Sequence, residues 1–296
     1  MNPPFDKFDP RAAQWRTANA LALAHAADLA YEDDADKILR QLQNWGFPAA
    51  GCRVFTMETA QALAAANEEM MVFAFRGTQP GKVADWLVDA EVLQDPWRQF
   101  FSGPDLGRVH HGFARNTARL WDLIREFAAA AGQNGPSLWV SGHSLGGAMA
   151  VLAGAALFCS ERQPVRGIYT FGQPRAGNPA FARRFGKRLK NALFRVVNND
   201  DLVPHVPPVF IPFLLVPPHG PIFYRHAVRL FWFDAAGKLH PPAFWSALRE
   251  AIRFPATRRR SAVQLRSAPA AFAPISDHSL ASYIQKLQAW LDAGNH

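Results

Sequence analysis

Residues 139–148 read Trp139-Val140-Ser141-Gly142-His143-Ser144-Leu145-Gly146-Gly147-Ala148. The apolar Leu138–Val140 has the character of a buried strand end. The run breaks at Gly142-His143-Ser144-Leu145-Gly146, a Gly-x-Ser-x-Gly pentapeptide, and resumes as a helix-prone alanine-rich segment from Ala148 to Phe158. Strand, sharp turn and helix form the setting in which such a serine is presented as a nucleophile. Glycine at 142 and 146 relieves crowding where the strand and the helix must approach. Ser144 then stands at the positive end of the following helix, and the Leu145 N–H faces any oxyanion formed beside it.

Working outward, apolar runs and turn signals alternate along the chain. Strands are expected at Cys52–Met57, Met70–Phe75, Val165–Phe171, Ala192–Val197 and Phe223–Phe233. Helices are expected at 11–31, 34–45, from Phe113 through Ala131, at 180–189, at 244–254 and at 279–291. Ala60–Asn67 fits either a helix or a hairpin arm. Strands alternating with helices argue for an α/β protein with a mainly parallel central sheet covered by helices on both faces. The length of 296 residues fits a single large domain. Functional groups in such sheets gather at the carboxyl ends of strands, and both Ser144 and Asp201 directly follow expected strands.

Composition narrows the classes. Half of the chain, 49%, is hydrophobic, enough for a sizeable core. Residues 132–160 carry no Asp, Glu, Lys or Arg, but Pro136, several glycines and the Ser-Gly-His-Ser turn make a buried strand-turn-helix a better reading than a transmembrane span. No secretory signal is visible at the amino terminus, so a cytoplasmic location is the default expectation, with signal-independent secretion as the alternative. Cys52 and Cys159 lack metal-ligand spacing and are expected as buried free thiols; no metal or organic cofactor is expected. Residues 1–150 hold 13 Lys/Arg against 17 Asp/Glu, whereas residues 151–296 hold 19 against 7. The basic second half suits peripheral contact with an anionic lipid surface, while no recognition motif accompanies it to argue for nucleic acid.

A serine hydroxyl needs a base within hydrogen-bond reach and an acid to orient that base. In this fold type the order is Ser, then Asp or Glu, then His. The strand-end acids downstream of Ser144 are Asp200 and Asp201; the later histidines are His205, His219, His226, His240, His278 and His296. Order alone leaves both choices open.

Several motifs in register resemble the class 3, fungal-type lipases of the α/β-hydrolase fold. They are Phe75-Arg76-Gly77-Thr78, Asp85-Trp86-Leu87-x-Asp89, Val109-His110-x-Gly112-Phe113, Gly142-His143-Ser144-Leu145-Gly146-Gly147 and Tyr169-Thr170-Phe171-Gly172-Gln173-Pro174-Arg175-x-Gly177-Asn178. Asn198 through Asp201-Leu202-Val203-Pro204 and Asp277-His278 extend the likeness over roughly residues 15–290. The resemblance implies Ser144 as nucleophile, Asp201 rather than Asp200 as acid, and His278 as base. It implies Thr78 and Leu145 as oxyanion donors. It implies a lid at Gln79–Ala90, and it marks 209–223 and 255–275 as insertions. The activity implied is hydrolysis of lipid esters, with triacylglycerol first and phospholipase A1 action on anionic phospholipid as the alternative. A non-catalytic lipid-binding relative would have lost Ser, Asp or His, and here all three stand.

Overall fold

The computed structural model describes residues 3–83, 92–132, 135–189, 191–212, 220–227, 230–242 and 273–295. The strands are β1 (Cys52–Met57), β2 (Ala60–Ala66), β3 (Met70–Phe75), β4 (Gln94–Pro96), β5 (Arg108–His110), β6 (Ser137–His143) and β7 (Val165–Phe171). They continue with β8 (Leu193–Asn198), β9 (Phe210–Ile211), β10 (Ile222–Phe223), β11 (Leu230–Phe233) and β12 (Leu239–His240). The helices are α1 (Thr17–Leu29), α2 (Ala35–Asn44), α3 (His111–Ala130), α4 (Leu145–Cys159), α5 (Pro179–Arg188), α6 (Ala273–His278) and α7 (Leu280–Asp292). None of the helices among the described residues is long and apolar enough to cross a membrane.

Eight strands form one sheet in the order β1-β2-β3-β6-β7-β8-β11-β12. The pairs β3–β6, β6–β7, β7–β8 and β8–β11 are parallel, while β1, β2 and β12 join antiparallel at the margins. β3 and β8 are buried at every residue, because helices cover both sides of a parallel sheet. Alternate side chains divide between two cores. Phe73, Val140 and Ile168 point toward α3, α4 and α5, whereas Val72, Trp139 and Tyr169 point toward α1 and α7.

α4 is buried along nearly its whole length, as expected of a helix that is hydrophobic all round. It packs closely: a β-carbon at Gly142 would collide with the Gly146 carbonyl, and one at Gly146 with the Phe75 carbonyl. These two glycines let the elbow lie directly on the exit of β3.

Three expectations are corrected, and one open choice is decided. α1 begins at Thr17 rather than at residue 11, and it is buried on most sides because it lies between β6 and α7. The alanine-rich segment 60–66 is a strand, since it lies between β1 and β3 and hydrogen-bonds both. Phe223–Phe233 is not one strand: β10 pairs with β9 in a separate two-stranded sheet, and β11 joins β8. Cys159 is half-buried, at the end of α4 beside Arg188, while Cys52 is buried; both are free thiols. The expected helix at 244–254, residues 84–90 of the expected lid, 213–219 of the first insertion and 255–272 of the second lie outside the described residues.

Candidate active site

Ser144 caps the N-terminus of α4 with φ 57° and ψ −131°. A non-glycine residue in that region is strained, and the surrounding hydrogen bonds hold it there. Its N–H donates to Phe171 O at 3.0 Å, and its carbonyl accepts from Gly147 N–H at 2.9 Å. The side chain is fully buried, and Oγ makes no hydrogen bond with any described residue.

Asp201 follows β8 in a turn closed by Asp201 N–H to Asn198 O at 2.9 Å. It is fully buried, whereas Asp200 is exposed. Its carboxylate accepts from Val203 N–H at 2.9 Å and from Tyr283 Oη at 2.6 Å. His278 Nδ1 lies 3.0 Å from Asp201 Oδ1 and 2.9 Å from Oδ2. An ionised carboxylate only accepts, so Nδ1 carries the proton and Nε2 keeps its lone pair. His278 Nε2 is buried and, like Ser144 Oγ, has no hydrogen-bond partner among the described residues. Pairs of this kind commonly close only when substrate is bound.

Groups that the sequence reading assigned no role hold this arrangement. Asp277 ties the base to the acid loop. Its carbonyl accepts from Asn198 Nδ2 at 2.9 Å, and its carboxylate accepts from Asn199 Nδ2 at 2.9 Å and from Asp200 N–H at 3.3 Å. Tyr283, on α7, accepts from Asn198 N–H at 3.0 Å while it donates to Asp201. Burial and the Asp201 charge push its phenol well above the usual range, so it stays a donor. Gly172 has φ +57°, and a β-carbon there would stand 2.8 Å from both Asp201 Oδ2 and His278 Nδ1.

The oxyanion side is built from β3 and α4. Leu145 is the first residue of α4, where an N–H has no intrahelical acceptor. Thr78 leaves β3 three residues after Phe75, and a β-carbon on the adjacent Gly77 would lie 3.2 Å from Ser144 Cβ. Arg76 fixes this exit. Its guanidinium reaches Asp33 at 2.7 Å and Gln61 at 3.4 Å, and Gln61 Nε2 donates to Ala30 O and Glu32 O at 3.1 and 2.7 Å. The clamp brings Tyr31 onto the elbow, where its hydroxyl meets His143 Nδ1 at 2.8 Å. The structure thus brings together Ser144, Asp201 and His278, with Leu145 and the Thr78 segment alongside. His226 is elsewhere, bonded through Nε2 to Pro204 O at 2.8 Å, and His240 pairs with Asp234.

A family model described as Lipase (class 3) matches residues 72–211, which contain the elbow, Asp201 and both oxyanion positions. Over that stretch, just under half of its length, the chain resembles the class 3 lipases. It is 24% identical to a lipase of Caenorhabditis elegans over 258 residues, covering 78% of this chain and 70% of that protein. It is 34% identical to a secreted mono- and diacylglycerol lipase of Malassezia globosa over 178 residues, covering 57% of this chain and 54% of that protein. It thus spans about half of the Malassezia protein's length. The fold matches that of a Rhizomucor miehei lipase propeptide complex with a TM-score of 0.54 at 22% identity, covering 75% of this chain and 70% of that one. The α/β-hydrolase fold is therefore common to both.

Proposed function

We propose that this protein is a class 3 lipase that hydrolyses carboxylic esters of lipids, with triacylglycerol as the first substrate class, through an acyl-enzyme on Ser144. The observation that carries the reading is the buried Asp201–His278 pair beside the strained Ser144 elbow, with His278 Nε2 and Ser144 Oγ both without a hydrogen-bond partner among the described residues. His278 Nε2 takes the Ser144 proton as Oγ adds to the ester carbonyl. The Leu145 and Thr78 N–H groups stabilise the oxyanion. The imidazolium, steadied by Asp201, returns that proton to the leaving alcohol as the C–O bond breaks. Water, activated by the same nitrogen, then adds to the acyl-enzyme and releases the fatty acid, restoring Ser144.

A second reading, phospholipase A1 action on anionic phospholipid, is favoured by the 19 Lys/Arg against 7 Asp/Glu in residues 151–296. Peripheral contact with a lipid surface belongs to both readings.

The test offers tributyrin, triolein and phosphatidylglycerol side by side to wild type and Ser144→Ala, with a fluorophosphonate probe as a mass label. Fatty-acid release and label at Ser144, both lost in the variant, support the mechanism. Preferential release from phosphatidylglycerol selects the second reading, and no release or labelling by folded wild type rejects both.

A further inference from the structure

From Leu202 to Tyr224 the sequence contains no Asp, Glu, Lys or Arg; Arg225 ends the run. The described part of that run is the β9–β10 hairpin, with Ile211 opposite Ile222 and Phe210 opposite Phe223. Alternation gives the hairpin two faces. Ile211, Ile222 and Tyr224 point inward as a small buried cluster with Val92, and Phe210 and Phe223 point outward with ring centroids 5.1 Å apart. Val209, Phe210 and Phe223 are 55%, 51% and 47% exposed. Leu93 is exposed as well, and it is joined to the hairpin through Tyr224 Oη to Leu93 O at 3.2 Å and Gln94 Nε2 to Phe223 O at 2.9 Å. Of the large apolar side chains exposed among the described residues, only Met57 and Leu123 lie elsewhere. Clustering of this kind marks a contact surface rather than random surface hydrophobicity.

The hairpin stands at the catalytic edge of the sheet. Arg175, just beyond the carboxyl end of β7, holds its entry by donating from its backbone N–H to Val206 O and from Nη1 to Pro207 O, each at 2.8 Å. Its exit carries the charge. Arg225 is two residues beyond Phe223, on the same side of the chain, and exposed. Gly177 bridges Arg225 to Val109, which places the exposed Arg108 in the next row. Among the described residues no carboxylate pairs with Arg225. Apolar tips with arginines set just behind them match the layering of an anionic lipid surface, acyl chains beneath and phosphates above.

We propose that the β9–β10 hairpin anchors the protein to anionic lipid surfaces: Val209, Phe210 and Phe223 enter the acyl layer while Arg225 meets headgroup phosphates. This deepens the lipid-ester reading and rests on it. The anchor holds the mouth of the Ser144 site against the aggregate in which the substrate resides.

Flotation of the full chain with phosphatidylcholine vesicles, with and without one quarter phosphatidylglycerol, tests the anchor. Wild type, the double variant Phe210→Ser/Phe223→Ser and Arg225→Gln are compared, with turnover of a dissolved short-chain p-nitrophenyl ester as the second measurement. The double variant is expected to lose about tenfold or more of its vesicle partitioning. Arg225→Gln is expected to lose about fivefold on vesicles with phosphatidylglycerol and nothing on pure phosphatidylcholine. Dissolved-ester turnover stays within about twofold in both, consistent with surface substitutions remote from the triad. Wild-type partitioning by the double variant overturns the anchor, and so does an equal loss by Arg225→Gln on both vesicle types. A wild-type dimer that the double variant converts to monomer also overturns it, because a second copy would then cover the patch. Phenylalanine-dependent vesicle binding without hydrolysis of any ester would reject the hydrolase reading while leaving the anchor in place.

Discussion

His143 Nε2 hydrogen-bonds the backbone carbonyl of His278 at 2.7 Å, so the residue before the proposed nucleophile Ser144 holds the proposed base from behind. A carbonyl only accepts, which puts the proton on Nε2. Burial, and then the neighbouring His278, hold the His143 ring well below the usual imidazole range, so it is neutral and Nδ1 accepts from Tyr31 Oη. Tyr31 Oη also lies against Gly77, where an added β-carbon would stand 2.2 Å from it. Tyr31 and His143 therefore link the Gly77 segment to His278.

Tyr31→Phe removes the donor to His143 while keeping the ring. Losing a buried hydrogen bond costs about 1–3 kcal/mol, equivalent to about five- to 160-fold in rate if the loss falls on the transition state. The expected outcome is a kcat lowered within that range with KM nearly unchanged, read on a dissolved ester. Unchanged kcat would separate the Tyr31–His143 line from the reaction.

Asp200 and Asp201 are adjacent in sequence but opposite in environment. Asp201→Asn keeps the shape, yet an amide can satisfy Tyr283, Val203 and His278 only in part, and it favours the wrong imidazole tautomer. A loss of about three to four powers of ten in kcat is expected. Asp200→Asn should stay within about twofold, as an exposed side chain outside the hydrogen bonds to His278. Steady-state kinetics on both variants checks this, and the reverse pattern would move the acid by one residue.

Much of this was readable because the elbow and the strands are local signals. Met70–Phe75, Leu138–Val140 and Val165–Phe171 show their burial directly in composition, and Ser144 stands out by its pentapeptide in a strand-turn-helix setting together with the neighbouring motifs. The resemblance selected Asp201 and His278, and burial explains the choice in physical terms. Other features were hidden because they are made by distant partners. Tyr31 is 112 residues from His143, and Tyr283 is 82 from Asp201, so each reads as an ordinary polar residue at a helix end or on a helix face. Strand pairing is also non-local. Nothing in Phe223–Phe233 says that its first part joins β9 and its last part β8, and the alanines of β2 become a strand only between β1 and β3.

Tyr283 couples activity to stability. Tyr283→Phe removes the 2.6 Å donor to Asp201 and leaves the buried Asn198 N–H without its acceptor. A buried unpaired donor costs about 1–3 kcal/mol. At this chain length, Tm should fall by about 2–4 °C for each kcal/mol. Calorimetry and kcat should therefore both decline, whereas a role confined to packing would move only Tm.

The acid side of the stability profile follows from two buried histidines. His143 and His226 are both held well below the ordinary value of 6.5, chiefly by burial, so the folded protein keeps them neutral where the unfolded chain takes up protons. Below about pH 6.5 the unfolded state therefore binds more protons, and stability falls as pH falls, by up to about 1.4 kcal/mol per pH unit for each histidine. Above that pH their contribution is complete and flat. Urea unfolding between pH 4.5 and 8 should show that shape in wild type. His143→Gln retains hydrogen-bonding capacity without a titrating ring, and its slope below pH 6.5 should be shallower by one proton. An unchanged slope would mean that His143 takes up its proton in the folded state, at the cost of the neutral donor geometry behind His278.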